Sequence, residues 1–385
     1  MKSCSDPVFH PDWDLFCRVI DNHGDLGVCW RLAADLASRG QTVRLWCDDA
    51  SALRWMAPHG AAGVTVLPWR DPLPHEAPAD IVVEAFGCDP PPAFVSRMAA
   101  AAATNRPPLW INLEYLSAES YVERSHRLAS PQWSGPGAGQ TKWFFYPGFT
   151  PRTGGLLREP SQIERNDASR AAAVSSRLTG IDRTMLLFCY PNPALPALLD
   201  ALASDTQART LLRVTPGFAT EQVRQWLSDR GHHGAQGSGQ GGGQVQIEWL
   251  NYVDHPGFDA LLADSDLAAV RGEDSVIRAL WAGRPLLWQI YPQHDEAHRA
   301  KLEAFLDHHL SSLPPEDALA RVTRQLNRAW NGFAELDGAG WQQGLAVLFA
   351  APAQVLARQR RSTQAALPDL STTLLAFVAE KTPKA

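Results

Sequence analysis

Residues 267–292 carry the pattern that most restricts the fold. An apolar run, LAAV, leads into a polar turn, RGED; a helical run, SVIRALWAG, follows, and a second apolar segment, PLLWQIYP, closes the stretch. Strand, polar turn, helix, strand is the way an α/β protein presents chemistry at the carboxyl edge of its sheet. Arg271, Glu273, Asp274, Ser275 and Arg278 crowd this one short stretch. Asp274 and Ser275 are good N-cap types, so the helix is predicted to open there, with backbone N–H groups and its positive end at the strand's edge. An arginine just ahead of such a start suits a diphosphate. A capped surface helix with a solvated charge cluster accounts for the same residues. The stretch alone leaves both readings open.

The alternation is not confined to this stretch. In the first half, strands are predicted at 14–20 (DLFCRVI), 42–47 (TVRLWC), 63–68, 80–86 and 108–116 (PLWINLEYL). Helices are expected at 28–40 (VCWRLAADLASRG), 51–57 and 91–103, and a loop-rich passage at 144–159 closes the half. A polar helical connector at 160–178 leads to a second series of strands at 184–190, 209–216, 244–250, 267–271 and 285–292. Such alternation predicts mostly parallel sheets covered on both faces. The organisation expected is two Rossmann-like domains, 1–165 and 180–365, facing across a cleft. A Gly-rich flexible insertion occupies 231–244, and the tail, 368–385, packs back on the first domain.

Composition narrows the function classes. A chain of 385 residues can build two cores. A net charge of −6 argues against bulk binding to nucleic acid or an anionic membrane. No apolar run is long enough to span a bilayer, and MKSCSDPVFHPDWD does not read as a signal peptide. The cysteines lie mostly within apolar segments without CxxC spacing, so they read as reduced core thiols of a cytoplasmic protein.

The second dense segment is IDNHGDLGVCWRLA, residues 20–33, at the end of the first strand. It is not GxGxxG, so it does not support a dinucleotide fingerprint. Asp21 and Asp25, with Gly24 and Gly27 to turn the backbone tightly, can present carboxylates at the sheet edge, where one can act as a general base. A helix-capping loop in which Asp25 supports the first turn remains the alternative.

Taken together, IDNHGDLGVCWRLA, YVERSHRLASPQ (121–132), FFYPGFTPRTGGLLRE (144–159), LFCYPNPAL (187–195) and VRGEDSVIRALWAGRPLLWQIYPQ (270–293) resemble the bacterial protein-arginine rhamnosyltransferases that modify translation elongation factor P. The resemblance runs in order from about residue 14 to the tail. It implies an inverting glycosyltransferase of GT-B type that uses dTDP-β-L-rhamnose, needs no metal or other cofactor, and modifies one arginine in the first domain of the factor. That modification activates the factor for ribosomes stalled at polyproline. By the same resemblance, Asp25 matches the general base, Asp21 the second essential aspartate, and Glu273 the glutamate required beside them. Arg271 matches the arginine that meets the diphosphate, while Asp274, Ser275 and Tyr291 fall where ribose and phosphates bind. Phe188 and Tyr190 match aromatic positions of the nucleotide pocket. His255 stands where relatives tend to carry a glutamine, which puts a thymine contact there in doubt. The loop reads DNHGD where relatives have DNYGD or DNFGD, so His23 either replaces the aromatic ring or titrates. YVERSHR and the 144–159 loop are acceptor-side candidates.

Three rivals remain. A metal hydrolase would use His294 and His298 of HDEAH, whose i, i+4 spacing suits zinc; the pattern matches neither HExxH nor HxxEH, and no third ligand is evident. A non-catalytic nucleotide-sugar-binding module would not need Asp21, Asp25 and Glu273 together. An epimerase of the same fold would not need the family-like loops at both cleft edges. The histidine pairs at 232–233 and 308–309 are expected to face solvent.

Overall fold

The computed structural model describes residues 12–20, 23–69, 77–103, 107–175, 178–231, 244–292 and 297–382. The chain divides into two compact units, Met1–Pro160 with Leu367–Ala385, and Ser161–Ala366.

In the first unit, β1 (Asp12–Cys17), β2 (Thr42–Cys47), β3 (Val64–Pro68), β4 (Ile81–Ala85), β5 (Leu109–Leu113), β6 (Ala129–Pro131) and β7 (Thr141–Phe145) form one sheet. Its order is β3-β2-β1-β4-β5-β7-β6, and only the short edge strand β6 runs antiparallel. Helices α1 (Gly24–Ser38), α2 (Leu53–Met56), α3 (Pro92–Ala103) and α4 (Tyr121–Ser125) lie between the strands. The central strands carry apolar residues on both faces, as a covered parallel sheet requires. Leu15, Leu45, Ile81, Val83 and Ile111 pack in one core with Leu26 and Leu32 of α1, whereas Phe16, Trp46, Val82 and Trp110 pack in another with Phe94 and Met98 of α3. The α4, β6 and β7 elements were not expected from the sequence; three- to five-residue pieces carry too little periodicity to register.

The tail belongs to this unit. Helix α14 (Leu370–Lys381) buries Leu370, Leu374, Phe377 and Val378 in the first core. Arg39, just past α1, donates to Asp369 (2.8 Å) and Thr372 (2.7 Å), and the Leu370 N–H donates to the Leu156 carbonyl (3.0 Å).

The second unit begins with α5 (Gln162–Ser175) and then alternates β8 (Arg183–Leu187), α6 (Leu195–Ala203), β9 (Thr210–Val214), α7 (Phe218–Asp229), β10 (Val245–Trp249), α8 (His255–Asp264), β11 (Leu267–Arg271), α9 (Gly272–Ala282) and β12 (Leu286–Gln289). All five strands are parallel, in the order β10-β9-β8-β11-β12. Helices α10 (Ala297–His309), α11 (Ala318–Trp330), α12 (Gly338–Phe349) and α13 (Ala351–Ala365) complete it. Both sheets share the core order 3-2-1-4-5 of the doubly wound fold. In each, the chain reverses its direction of winding beside the first strand, and ligands of such sheets bind outside the carboxyl ends at that point.

Two histidine expectations fail. His309 is buried rather than solvent-facing, its ring stacked on Phe305 at 5.3 Å, and His308 is half-buried against Gln364 at 2.7 Å. The pair at 232–233 lies outside the described residues. The described cysteines, Cys17, Cys29, Cys47, Cys88 and Cys189, are buried and none is in a disulfide.

Candidate functional site

In the second unit the reversal of winding falls between β8 and β11, and the candidate donor residues gather there. β11 ends at Arg271, and Gly272 takes φ +65, a left-handed value that lets the strand turn into α9 within one residue. The helix therefore starts earlier than expected. Arg271, not Asp274 or Ser275, occupies the N-cap position. Ser275 lies inside the first turn, buried, with its hydroxyl donating to the Arg271 carbonyl. Trp288 Nε1 donates to the Gly272 carbonyl at 2.7 Å, fixing the turn from the neighbouring strand. The positive end of α9 is thus placed at the carboxyl end of β11, where an anion is favoured.

The Arg271 side chain is held by aromatic rings. Its guanidinium carbon is 4.4 Å from the Phe188 centroid, 4.6 Å from Tyr190 and 5.4 Å from Phe218, and Nη1 donates to the Cys189 carbonyl at 3.3 Å. The strand β8 stops at Leu187, so Phe188 and Tyr190 sit in the loop beyond it rather than within the strand as expected. That loop is pinned. The Phe188 N–H donates to the Ala269 carbonyl (2.8 Å), the Tyr190 N–H to Gln289 Oε1 (2.9 Å), and Gln289 Nε2 to the Pro191 carbonyl (3.2 Å). Tyr291, half-exposed, meets Tyr190 edge to face at 5.7 Å. Burial pushes the Cys189 thiol up to about 12, so it is an inert core thiol.

Helix α8 reaches the same place. Asp254 caps it by accepting from the Gly257 N–H at 2.9 Å, His255 is its buried first residue, and Phe258 meets Phe188 edge to face at 5.4 Å. Glu273, on the first turn of α9, forms an ion pair with Lys301 of α10. Asp274 is in the same turn.

In the first unit, the reversal falls between β1 and β4, and the segment after β1 contains the second set of candidates. Here too the helix begins earlier than expected. Gly24, Asp25 and Gly27 are already helical, and the Gly27 N–H donates to the His23 carbonyl at 2.9 Å. The two glycines therefore do not serve a tight turn. Asp25 is buried, and its Oδ2 accepts from the Ile20 N–H at 2.9 Å. His23 packs its ring edge to face on Trp55 at 5.5 Å, a use that an aromatic ring also serves. Asp21 lies outside the described residues.

The structure thus brings Phe188, Tyr190, Arg271, Ser275 and Tyr291 together and adds Phe218, Phe258, Gln289 and Lys301, which sequence reasoning missed. Phe218 had a signal, since PG follows a strand directly and marks a turn at the carboxyl edge, with Phe218 opening the next helix. Lys301 had none, because nothing local ties it to a glutamate 28 residues earlier. Among the described residues, no group of three or more His, Cys, Asp or Glu could hold a metal ion. His294 of HDEAH lies outside them, and His298 rests against the Phe333 ring at 5.1 Å.

The family model of the elongation factor P (EF-P) rhamnosyltransferase EarP matches residues 13–379. The chain belongs to that family. It is 44% identical over 383 residues to a protein-arginine rhamnosyltransferase of Pseudomonas putida, a match spanning 95% of this chain and 98% of the relative. Among solved structures it resembles one described as the structural basis for EarP-mediated arginine glycosylation of EF-P. The identity is 31%, the TM-score 0.65, and the match covers 97% of this chain and all of that one. A calicheamicin glycosyltransferase, 14% identical with a TM-score of 0.51, shares the fold. This EarP family member is a glycosyltransferase with the GT-B type of α/β architecture, as the resemblance implied.

Proposed function

We propose that the enzyme transfers L-rhamnose, with inversion, from dTDP-β-L-rhamnose to an arginine side-chain nitrogen of EF-P, in the cytoplasm, and so equips the factor to rescue ribosomes stalled at polyproline. The observation that carries the donor half is Arg271, held by three aromatic rings at the reversal point beside a helix start. A fixed guanidinium and oriented N–H groups stabilise a leaving diphosphate as its charge develops, without an acid or a metal. Tyr190, Tyr291, Phe188 and His255 line the nucleotide's place in this reading, with Asp274 and Ser275 on the first turn of α9 toward its ribose and phosphates.

An arginine side chain is a poor nucleophile, because it is protonated and its lone pairs are delocalised. As the N–C1 bond forms and the C1–O bond to the diphosphate breaks, a proton must leave the guanidinium. Asp25 accepts it in this reading, with Asp21 and Glu273 holding the guanidinium and breaking its symmetry. The Ile20 N–H on Asp25 Oδ2 fixes the direction of that carboxylate.

The test is incubation with dTDP-rhamnose and EF-P, followed by intact-mass measurement. One deoxyhexose added to EF-P is expected. No transfer, with dTDP binding intact, would move the reading to another acceptor.

A further inference from the structure

The far end of α9 carries a charged cluster that the transfer chemistry does not use. The helix runs back along the sheet for 11 residues, so its last turn lies about 15 Å along its axis from Arg271, at the amino edge of the strands. Gly283 closes it at φ +65, and Arg284 leads into β12. Two arginines of α13 lie against that corner. A Cβ at Gly283 would stand 3.3 Å from Arg361 Cδ and Nε and 3.5 Å from Arg358 Cγ. Arg170 of α5 is close enough for its charge to act on Arg284.

Two carboxylates serve these four guanidinium groups. Asp266 accepts from Arg170 Nη2 (2.7 Å) and from the Thr184 N–H (2.9 Å), and Asp167 takes the fork of Arg361 (2.6 and 3.3 Å). Among the described residues, no carboxylate pairs with Arg284 or Arg358. Arg358 is exposed, so water can compensate it. Arg284 is only 7% exposed. Its Nε is buried without a hydrogen-bond partner, and its Nη1 reaches Gln354 Oε1 at a long 3.4 Å. Burial first and then Arg170 lower it to about 10, with Arg358 and Arg361 adding and Asp266 opposing, so it stays charged at neutral pH.

Capping of α9 does not account for this arrangement. The negative end of a helix favours a cation, yet the Leu280 and Ala279 carbonyls already accept from the Gly283 N–H (2.9 Å) and the Arg284 N–H (3.4 Å). A buried guanidinium with an unmet donor is stabilised by an anion, since it does not shed its proton. Two positive charges without carboxylates match a dianion, and guanidinium forks match the oxygens of a phosphate group.

We propose that Arg284, Arg358, Arg361 and Arg170 form a phosphate-binding site at the amino edge of the second unit's sheet, separate from the donor pocket. The bound dianion joins β12 to α5 and α13. The chain enters this unit just ahead of α5 and leaves it just after α13, so the anion ties both of those helices to the sheet. Free phosphate and a phosphate ester share this chemistry.

Calorimetric titration with inorganic phosphate and with ribose 5-phosphate, at neutral pH and low salt, tests the site on wild type, Arg358→Ala, Arg284→Gln and Arg271→Ala. One phosphate per chain is expected in wild type and in Arg271→Ala, with affinity about tenfold or more weaker in Arg358→Ala and lost in Arg284→Gln. Arg358 is exposed, so its variant reads binding without disturbing the core. Ribose 5-phosphate binding as tightly as inorganic phosphate supports the site as one for an ester, and much weaker binding supports it as one for the free ion. No saturable binding to wild type, or wild-type affinity in both Arg358→Ala and Arg284→Gln, overturns it. Loss of binding in Arg271→Ala alone also overturns it, by placing the phosphate at the opposite end of α9.

Discussion

Arg278 and Asp259 form a two-pronged ion pair inside the second unit, Nε and Nη2 donating at 2.8 and 2.7 Å, with both side chains buried. The pair joins the middle of α9 to the middle of α8, the helix that places Phe258 against Phe188. Desolvation offsets much of the attraction of such a pair, so its clearest role is to hold two helices in register. Removing one partner strands a buried charge. Arg278→Met is expected to destabilise the unit by about 3–5 kcal/mol in urea unfolding, and a double change, Arg278→Met with Asp259→Leu, to recover most of it. A double variant no better than the single one would show that the pair contributes more than register.

Asp25 bonds the Ile20 N–H, so alanine at that position removes both a base and a loop fastening. Asparagine separates the two, because its amide oxygen can still accept from Ile20. Asp25→Asn is therefore expected to lower kcat by about 10²–10⁴-fold while dTDP affinity stays at the wild-type value. Near-normal turnover would remove Asp25 from the role of base.

Arg271→Ala is expected to weaken dTDP binding by roughly tenfold or more, read by calorimetry, since charge-assisted hydrogen bonds to a diphosphate are lost. Arg271→Lys retains the charge but neither the planar fork nor the stacking on Phe188 and Tyr190, and is expected to recover only part of the affinity. Unchanged affinity in both variants would place the diphosphate elsewhere.

These residues show what was legible in the sequence. The β11–α9 corner was readable because an apolar run, a polar turn and a helical period follow one another without a gap. Its exact helix start was not, because Asp274 and Ser275 are better capping types than Arg271, and only the left-handed turn at Gly272 decides between them. The same holds at α1, where helix begins at Gly24 despite two glycines that discourage it. Long-range partners were invisible throughout. Lys301 meets Glu273, and Phe218 closes the rings around Arg271, through tertiary packing that no local pattern encodes. Asp25 and Arg271 were named through the family resemblance; the structure supplies the Ile20 bond and the aromatic walls.

Phe377 packs against Phe145 at 5.7 Å and Trp143 at 5.6 Å, and Arg127 and Lys381 lie over its ring. Helix α14 thus completes the first core from a position far along the chain. Phe377→Ala is expected to cost about 3–5 kcal/mol and to expose the tail to limited proteolysis after Leu367. If cleavage remains as slow as in wild type, the helix is held chiefly by the Arg39–Asp369 contact instead.

Acid is expected to destabilise the protein through His309. Burial, with Arg360 and His308 adding, lowers it to about 3, and the same causes of burial and a nearby arginine lower His308 and His126 to about 4. A histidine whose folded value is depressed is neutral in the native state, whereas the unfolded chain takes up a proton below its ordinary value near 6.5. Its contribution is therefore fully present above about pH 6.5 and is lost progressively as pH falls toward 3. For the buried His309 alone the loss is about 1.4 kcal/mol per pH unit well below 6.5. His309→Phe keeps the ring stacked on Phe305 and cannot titrate. Urea unfolding at pH 7, 6 and 5 is expected to show a shallower fall in stability for His309→Phe than for wild type, and equal slopes would assign the acid lability to other groups.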